Sequence, residues 1–187
     1  MVKLGHYYDE AGRSAFRVFA PLASRLEVAL VDGARAVPLR RDPLGWWAGG
    51  TDRLRPGTRY LLDLDGRRYP DPASRCQPEG VHGPSMVVEV PGVARRGWRG
   101  VGIEDAVIYE LHLGTFTEAG TLEAAAGRLP HLHALGATVI ELLPIAAFPG
   151  QRNWGYDGTH PFALHAGYGD YRSLCHFIES AHRLGMA

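Results

Sequence analysis

Two structural regions are expected from this chain. Residues 1–90 should form an antiparallel β-sandwich, and residues 106–187 should begin a parallel sheet layered with helices. Three observations support this. Short alternating segments in the first half are punctuated by Asp-Gly, Pro-Gly and Gly-Gly turn signals about every ten to fifteen residues. After residue 105 the period changes to that of apolar strands alternating with amphipathic helices. Between them lies Pro91 to Asp105, rich in glycine, proline and arginine.

In the first half, Ala15 to Ala20 (AFRVFA) alternates, as a half-buried strand does. Arg25 to Val31 (RLEVALV) alternates again and meets the turn Asp32-Gly33. Trp46-Trp47-Ala48 is a third strand candidate, and Tyr60 to Leu64 (YLLDL) a fourth, ending at Asp65-Gly66. No helical period competes with these segments, and the pattern is that of a sandwich.

In the second half, Ala106 to Leu113 (AVIYELHL) reads as a mostly apolar strand. Thr121 to Leu135 reads as a helix that Thr121 can cap. Its stripe is Leu122, Ala125, Leu129, Leu132 and Leu135. Gly136 should stop this helix, and Pro130 should kink or split it. Ala137 to Leu143 is a second apolar strand. Tyr171 to Leu184 is a second helix, with Leu174, Phe177, Ile178, Ala181 and Leu184 on one face. This is a βαβα rhythm. Residues 91–105 are expected as a linker or as an ordered segment packed on the domain interface. A third strand should begin near Gly185-Met186-Ala187. Two βα units leave open edges, so the chain is expected to be a piece of something larger, prone to associate.

The 20 basic and 20 acidic residues balance to a net charge of zero. No basic footprint for nucleic acid is visible, and no stretch reads as a signal peptide, a membrane surface helix or a membrane span. Cys76 and Cys175 are two lone thiols, which fits a reduced cytoplasmic protein. Oligomeric state is not legible.

The candidate site is Gly136 to Gly158 (GATVIELLPIAAFPGQRNWGYDG). An apolar strand there delivers a loop holding Phe148, Asn153, Trp154, Tyr156 and Asp157 among glycines. Aromatic faces beside amide and carboxylate groups suit a sugar, which has apolar C–H faces and a rim of hydroxyls. Glycoside hydrolysis needs two carboxyl groups, about 5 Å apart in retaining enzymes. Glu110 and Glu141 sit in adjacent strands, but within them rather than at their C-terminal ends. The simpler reading is a partly buried pair satisfied by neighbouring donors. Asp157 and Asp170 lie on the loop side, where ligand contact and ordinary turn chemistry are both open. His131 and His133 face different directions on a helix, and His160 and His165 carry no metal-ligand pattern. No metal or cofactor is expected. Trp46 and Trp47 could bind a glucan or fill the sandwich core.

The segment Val107 to Gly158 resembles the opening of the catalytic barrel in the alpha-amylase superfamily, glycoside hydrolase family 13. Tyr69 to Arg75 (YPDPASR), Gln77 to Ser85 (QPEGVHGPS) and Asn153 to Gly158 (NWGYDG) resemble the maltooligosyltrehalose trehalohydrolase subgroup within it. The resemblance implies an early-set, Ig-like sandwich followed by the first two β/α units of an incomplete TIM (β/α)8 barrel. It implies that Tyr156 stacks on the sugar at the cleavage point, with Trp154, Asp157 and Asn153 shaping the same wall. The implied ligand is maltooligosyltrehalose or another α-glucan, cleaved with retention to release trehalose. The family's catalytic carboxylates come from strands four, five and seven, so no catalytic residue is assigned here and the chain alone should be inactive. Thr159 to Tyr171 is similar to the glycogen branching enzymes. A branching-enzyme piece and a non-catalytic α-glucan-binding module therefore stand as alternatives.

Overall fold

The computed structural model describes residues 3–33, 35–93 and 97–187. The chain divides into two compact units: Met1–Glu89 with Thr159–Ala163, and Val90–Gly158 with Leu164–Ala187.

The first unit is sandwich-like. Its strands are β1 (Gly5–Tyr8), β2 (Ser14–Phe19), β3 (Leu26–Leu30), β4 (Ala36–Pro38), β5 (Arg40–Arg41), β6 (Trp46–Thr51), β7 (Arg59–Leu64), β8 (Arg67–Tyr69) and β9 (Ser85–Met86). One sheet runs β1-β2-β6-β5; the other runs β4-β3-β7-β8, with β9 also pairing β7. All the pairings are antiparallel. Alternation puts Phe16, Val18, Leu26, Val28, Trp47, Tyr60 and Leu62 in one buried core. Trp47 is a core residue whose Nε1 donates to the Ala20 carbonyl at 2.9 Å. Its neighbour Trp46 points outward and is half-buried.

The Tyr69 to Ser85 stretch builds a buried polar layer in this unit. Asp71, Ser74, Gln77 and Ser85 are all almost inaccessible. The Tyr60 hydroxyl donates to Asp71 Oδ2 (2.8 Å), and the Ala73 N–H donates to Asp71 Oδ1 (2.9 Å). The Asp71 N–H donates to Ser85 Oγ, which in turn donates to Gln77 Oε1. Arg75 donates to the carbonyls of Leu4 and His6. Every link has a partner, which is the condition for burying such groups without a large penalty. Burial raises the Asp71 carboxyl above its usual range, against the opposing pull of the Tyr60 bond.

In the second unit, β10 (Ile108–Leu111) and β11 (Val139–Leu142) pair in parallel. Between them come α1 (Leu113–Phe116), α2 (Leu122–Ala126) and α3 (Leu129–Ala134). The helix expected over residues 121–135 is thus split, with Pro130 in the first turn of α3. There the proline's missing N–H costs nothing. Thr121 caps α2 by accepting from the Ala124 N–H. Gly136, at φ 92°, takes the left-handed conformation that ends α3. Short strands β12 (Ala146–Ala147) and β13 (His160–Leu164) follow, and then α4 (Tyr171–Arg183). The apolar stripes of α2, α3 and α4 close over Leu111, Leu113 and Phe148.

Within residues 91–105, Ala94, Arg95 and Arg96 lie outside the described residues. Trp98 stacks on His182 of α4, with ring centroids 3.9 Å apart. The Cys175 thiol reaches the Pro91 carbonyl at 3.6 Å. Ala187 is hydrogen-bonded beside β11: its N–H donates to Thr138 and its carbonyl accepts from Ile140, each at 2.8 Å.

Candidate functional site

The site loop rests on a stacked foundation. Phe148 follows β11 and is buried, so it is no part of a binding face. Its ring lies on His165, with centroids 3.7 Å apart and planes 2° from parallel. His165 Nε2 is 3.1 Å from the Gly150 carbonyl, which requires a proton on that nitrogen. Burial lowers the pKa of this imidazole.

Above that base, residues 150–158 fold back on themselves. Asn153 Oδ1 accepts from the Gly155 N–H, and Asp157 Oδ2 accepts from the Trp154 N–H at 3.4 Å. Asn153 also shares a hydrogen bond with the Tyr168 hydroxyl, whose pKa burial raises and that bond lowers in part. Gly155 sits at φ 99°, and a Cβ there would lie 2.7 Å from Leu143 Cδ2. Only glycine combines that backbone angle with that approach. The loop's own polar groups therefore hold its shape and push its large side chains outward. Trp154 is 89% exposed and Tyr156 is 73% exposed.

A cavity of about 570 Å³ opens beside the loop. Its lining includes Asn153, Trp154 and Asp157. Of the four residues expected to form a sugar wall, three therefore meet in one cavity, while Tyr156 stands exposed outside its lining. The rest of the lining, which includes His112, Gln151, Arg152 and Tyr168, is not among the residues the sequence singles out. The available signal for His112 was its place just after β10, since site residues gather at the C-terminal ends of parallel strands. His112 Nδ1 is 3.3 Å from Thr115 Oγ1, and its buried Nε2 has no partner among the described residues. The site thus holds an aromatic plate, an amide, a carboxylate, an arginine (Arg152) and a free imidazole nitrogen. That set can bind a polyhydroxylated ligand. It lacks a pair of carboxyl groups, because Asp157 is the one acidic side chain in the described lining.

The other acidic candidates lie elsewhere in the fold. Glu110 and Glu141 are in register on β10 and β11, but both are exposed rather than partly buried as expected. Asp170 is a helix cap. Its Oδ1 accepts from the Arg172 and Ser173 N–H groups, and Ser173 Oγ accepts from the Asp170 N–H. The Ser173 N–H, first among these bonds, lowers the Asp170 pKa. Among the described residues no cluster of three His, Cys, Asp or Glu side chains is arranged to hold a metal ion.

No family model matches the chain. A malto-oligosyltrehalose trehalohydrolase from Rhizobium sp. is 44% identical over 186 residues, covering 94% of this chain and 31% of the relative. The chain is similar to malto-oligosyltrehalose trehalohydrolases. A solved structure described as a putative alpha amylase from Salmonella typhimurium superimposes with a TM-score of 0.90 at 41% identity, over 98% of this chain and 32% of that one. A 1,4-alpha-glucan branching enzyme from Burkholderia pseudomallei is less similar, at 31% identity over 200 residues, 91% of this chain and 27% of the relative. The resemblance read from the sequence therefore stands, with the trehalohydrolases ahead of the branching enzymes. The chain spans about a third of the length of the relatives it matches. No helix among the described residues is long and apolar enough to cross a membrane.

Proposed function

We propose that this chain supplies the sandwich and the first two β/α units of a (β/α)8 barrel in a trehalohydrolase. The intact enzyme would release trehalose from maltooligosyltrehalose, as a cytoplasmic step of trehalose biosynthesis. The observation that carries the reading is the cavity beside the Asn153–Asp157 loop. There an exposed indole stands next to fixed polar groups, on a scaffold 44% identical to a trehalohydrolase. The bonds from Ala187 to Thr138 and Ile140 support the barrel, because they occupy the parallel position that a third strand would take.

In this reading Trp154 and Tyr156 present flat faces to glucose rings, and Asp157 and Arg152 bind hydroxyls at the cavity rim. Asn153 acts through the loop, holding the peptide of Gly155. The nucleophile and general acid of a retaining hydrolysis come from strands beyond these two, and no cofactor takes part. The 187 residues therefore bind but do not cut. Calorimetric titration with maltoheptaose should give saturable heat that Trp154→Ala abolishes, and incubation with maltooligosyltrehalose should release no trehalose. Absence of heat at millimolar ligand would remove the binding role; released trehalose would refute the division of labour.

A further inference from the structure

The outer face of the sheet β1-β2-β6-β5 departs from the rule for a sandwich. Outward positions should be polar, yet Phe19 and Trp46 both point out and form a direct cross-strand pair. Phe19 is 54% exposed. The two rings meet at 52° with centroids 4.9 Å apart, making an open corner rather than a closed stack. Arg17, two residues before Phe19 and on the same face, holds its guanidinium 4.8 Å from the Trp46 ring centroid. The next cross-strand rows are Arg17–Ala48–Arg40 and Ala15–Gly50, so the floor beyond the corner is low and flanked by guanidinium groups. A cavity of about 190 Å³ opens here, lined by Arg17, Phe19, Trp46, Pro72 and Phe162 among others. Phe162, on the Thr159–Ala163 segment of the same unit, is half exposed.

We infer that this face is a second carbohydrate-binding site, seating one glucose ring of an α-glucan in the corner formed by Phe19, Trp46 and Arg17. Two tilted aromatic faces match the apolar C–H surface of a pyranose, and the guanidinium supplies donors to its ring of hydroxyls. The cavity is smaller than the roughly 300–1,000 Å³ of most ligand pockets, which limits it to a single ring with the rest of the glucan along the low floor. Its one carboxylate, Asp71, is committed to Tyr60 and the Ala73 N–H, so the site offers donors and flat faces rather than a charged acceptor. A second contact on the same chain raises the effective concentration of a multivalent glucan at the loop site. The inference rests on the α-glucan reading above.

The four tryptophans allow both sites to be followed in one experiment. The ¹⁵N-labelled 187-residue chain is titrated with maltoheptaose while the indole N–H signals are observed, each assigned by a Trp→Phe variant. The Trp46 signal should shift with saturation, and its isotherm should persist in Trp154→Ala and be lost in Phe19→Ala. The Trp47 indole, bonded inside the core, should stay in place and report an intact sandwich in every variant. A Trp154 signal that moves while Trp46 does not would overturn this inference and leave the loop reading standing. The converse would overturn the loop reading alone. A Trp46 signal that responds to protein concentration and not to glucan would assign the face to a second copy of the chain, and would also overturn the inference.

Discussion

The two units treat their surfaces in opposite ways. In the sandwich, apolar strand faces meet one another and the buried polar groups of the Tyr69 to Ser85 stretch are joined bond by bond. In the second unit, β10 leaves Ile108 and Tyr109 exposed at 57% and 38%, and Val107 just before it is exposed at 56%. Ile108 and Tyr109 are consecutive, so both faces of that strand are open. Strands of parallel sheets are written to be covered on both faces. The comparison teaches that exposure can reflect missing cover as well as function. The exposed Trp154 differs from β10 because its own loop bonds hold it out.

The largest test of this contrast is Asp71→Ala. It removes the acceptor of the buried Tyr60 hydroxyl and of the part-buried Ala73 N–H, and should destabilise the sandwich by about 3 kcal/mol. Leu129→Ala, in the core of the second unit, should cost about the same there by leaving a cavity. Hydrogen exchange should show each loss in its own unit. Equal loss in both units from either change would break the comparison.

Acid should act on the sandwich next. Burial first, and then Arg75 and Arg53, hold the His6 imidazole at about 4, below its ordinary 6.5. The fold prefers the neutral ring, so above pH 6.5 this group has no effect. As pH falls from 6.5 towards 4 the unfolded chain takes up the proton first, and stability drops. The loss is at most about 3 kcal/mol, less what solvent screening removes. His6→Asn should flatten this part of a pH–stability curve; an unchanged curve would exclude His6 as the cause.

Gly155→Ala tests whether the loop is as constrained as its geometry implies. Its strained backbone and close approach to Leu143 should cost about 1–2 kcal/mol and displace Trp154. Maltoheptaose binding at the loop should weaken measurably, and unchanged affinity would show that the loop adapts. The smallest effect is expected at Glu141→Gln, which relieves like charges opposed on β10 and β11 and should stabilise by about 0.5 kcal/mol. A loss of stability on thermal melting would mean that Glu141 holds a favourable partner.

Strand alternation, turn dipeptides, the Thr121 cap, the break at Pro130 and the stop at Gly136 were all legible, because each depends on neighbours within a few residues. The site was legible in part. Trp154 and Asp157 were placed by their loop, but Phe148 is a buried support. His112 and Tyr168 enter the cavity from segments outside the loop, one before it and one after it, which no single periodic stretch of sequence links.

By itself, the sequence determined the change from alternating strands to strands mixed with helices, the positions of caps and turns, and a loop rich in aromatic and polar side chains. Those follow from local periodicity and backbone preference. Only the tertiary structure decided which polar groups are structural and which are free. Asp71, Gln77 and Ser85 are consumed in a buried chain of bonds, and Asn153 and Asp170 in shaping a loop and a helix end. The physical reason is that a hydrogen-bonding group's availability depends on partners that folding brings together, and no residue type declares in advance which partner it will meet.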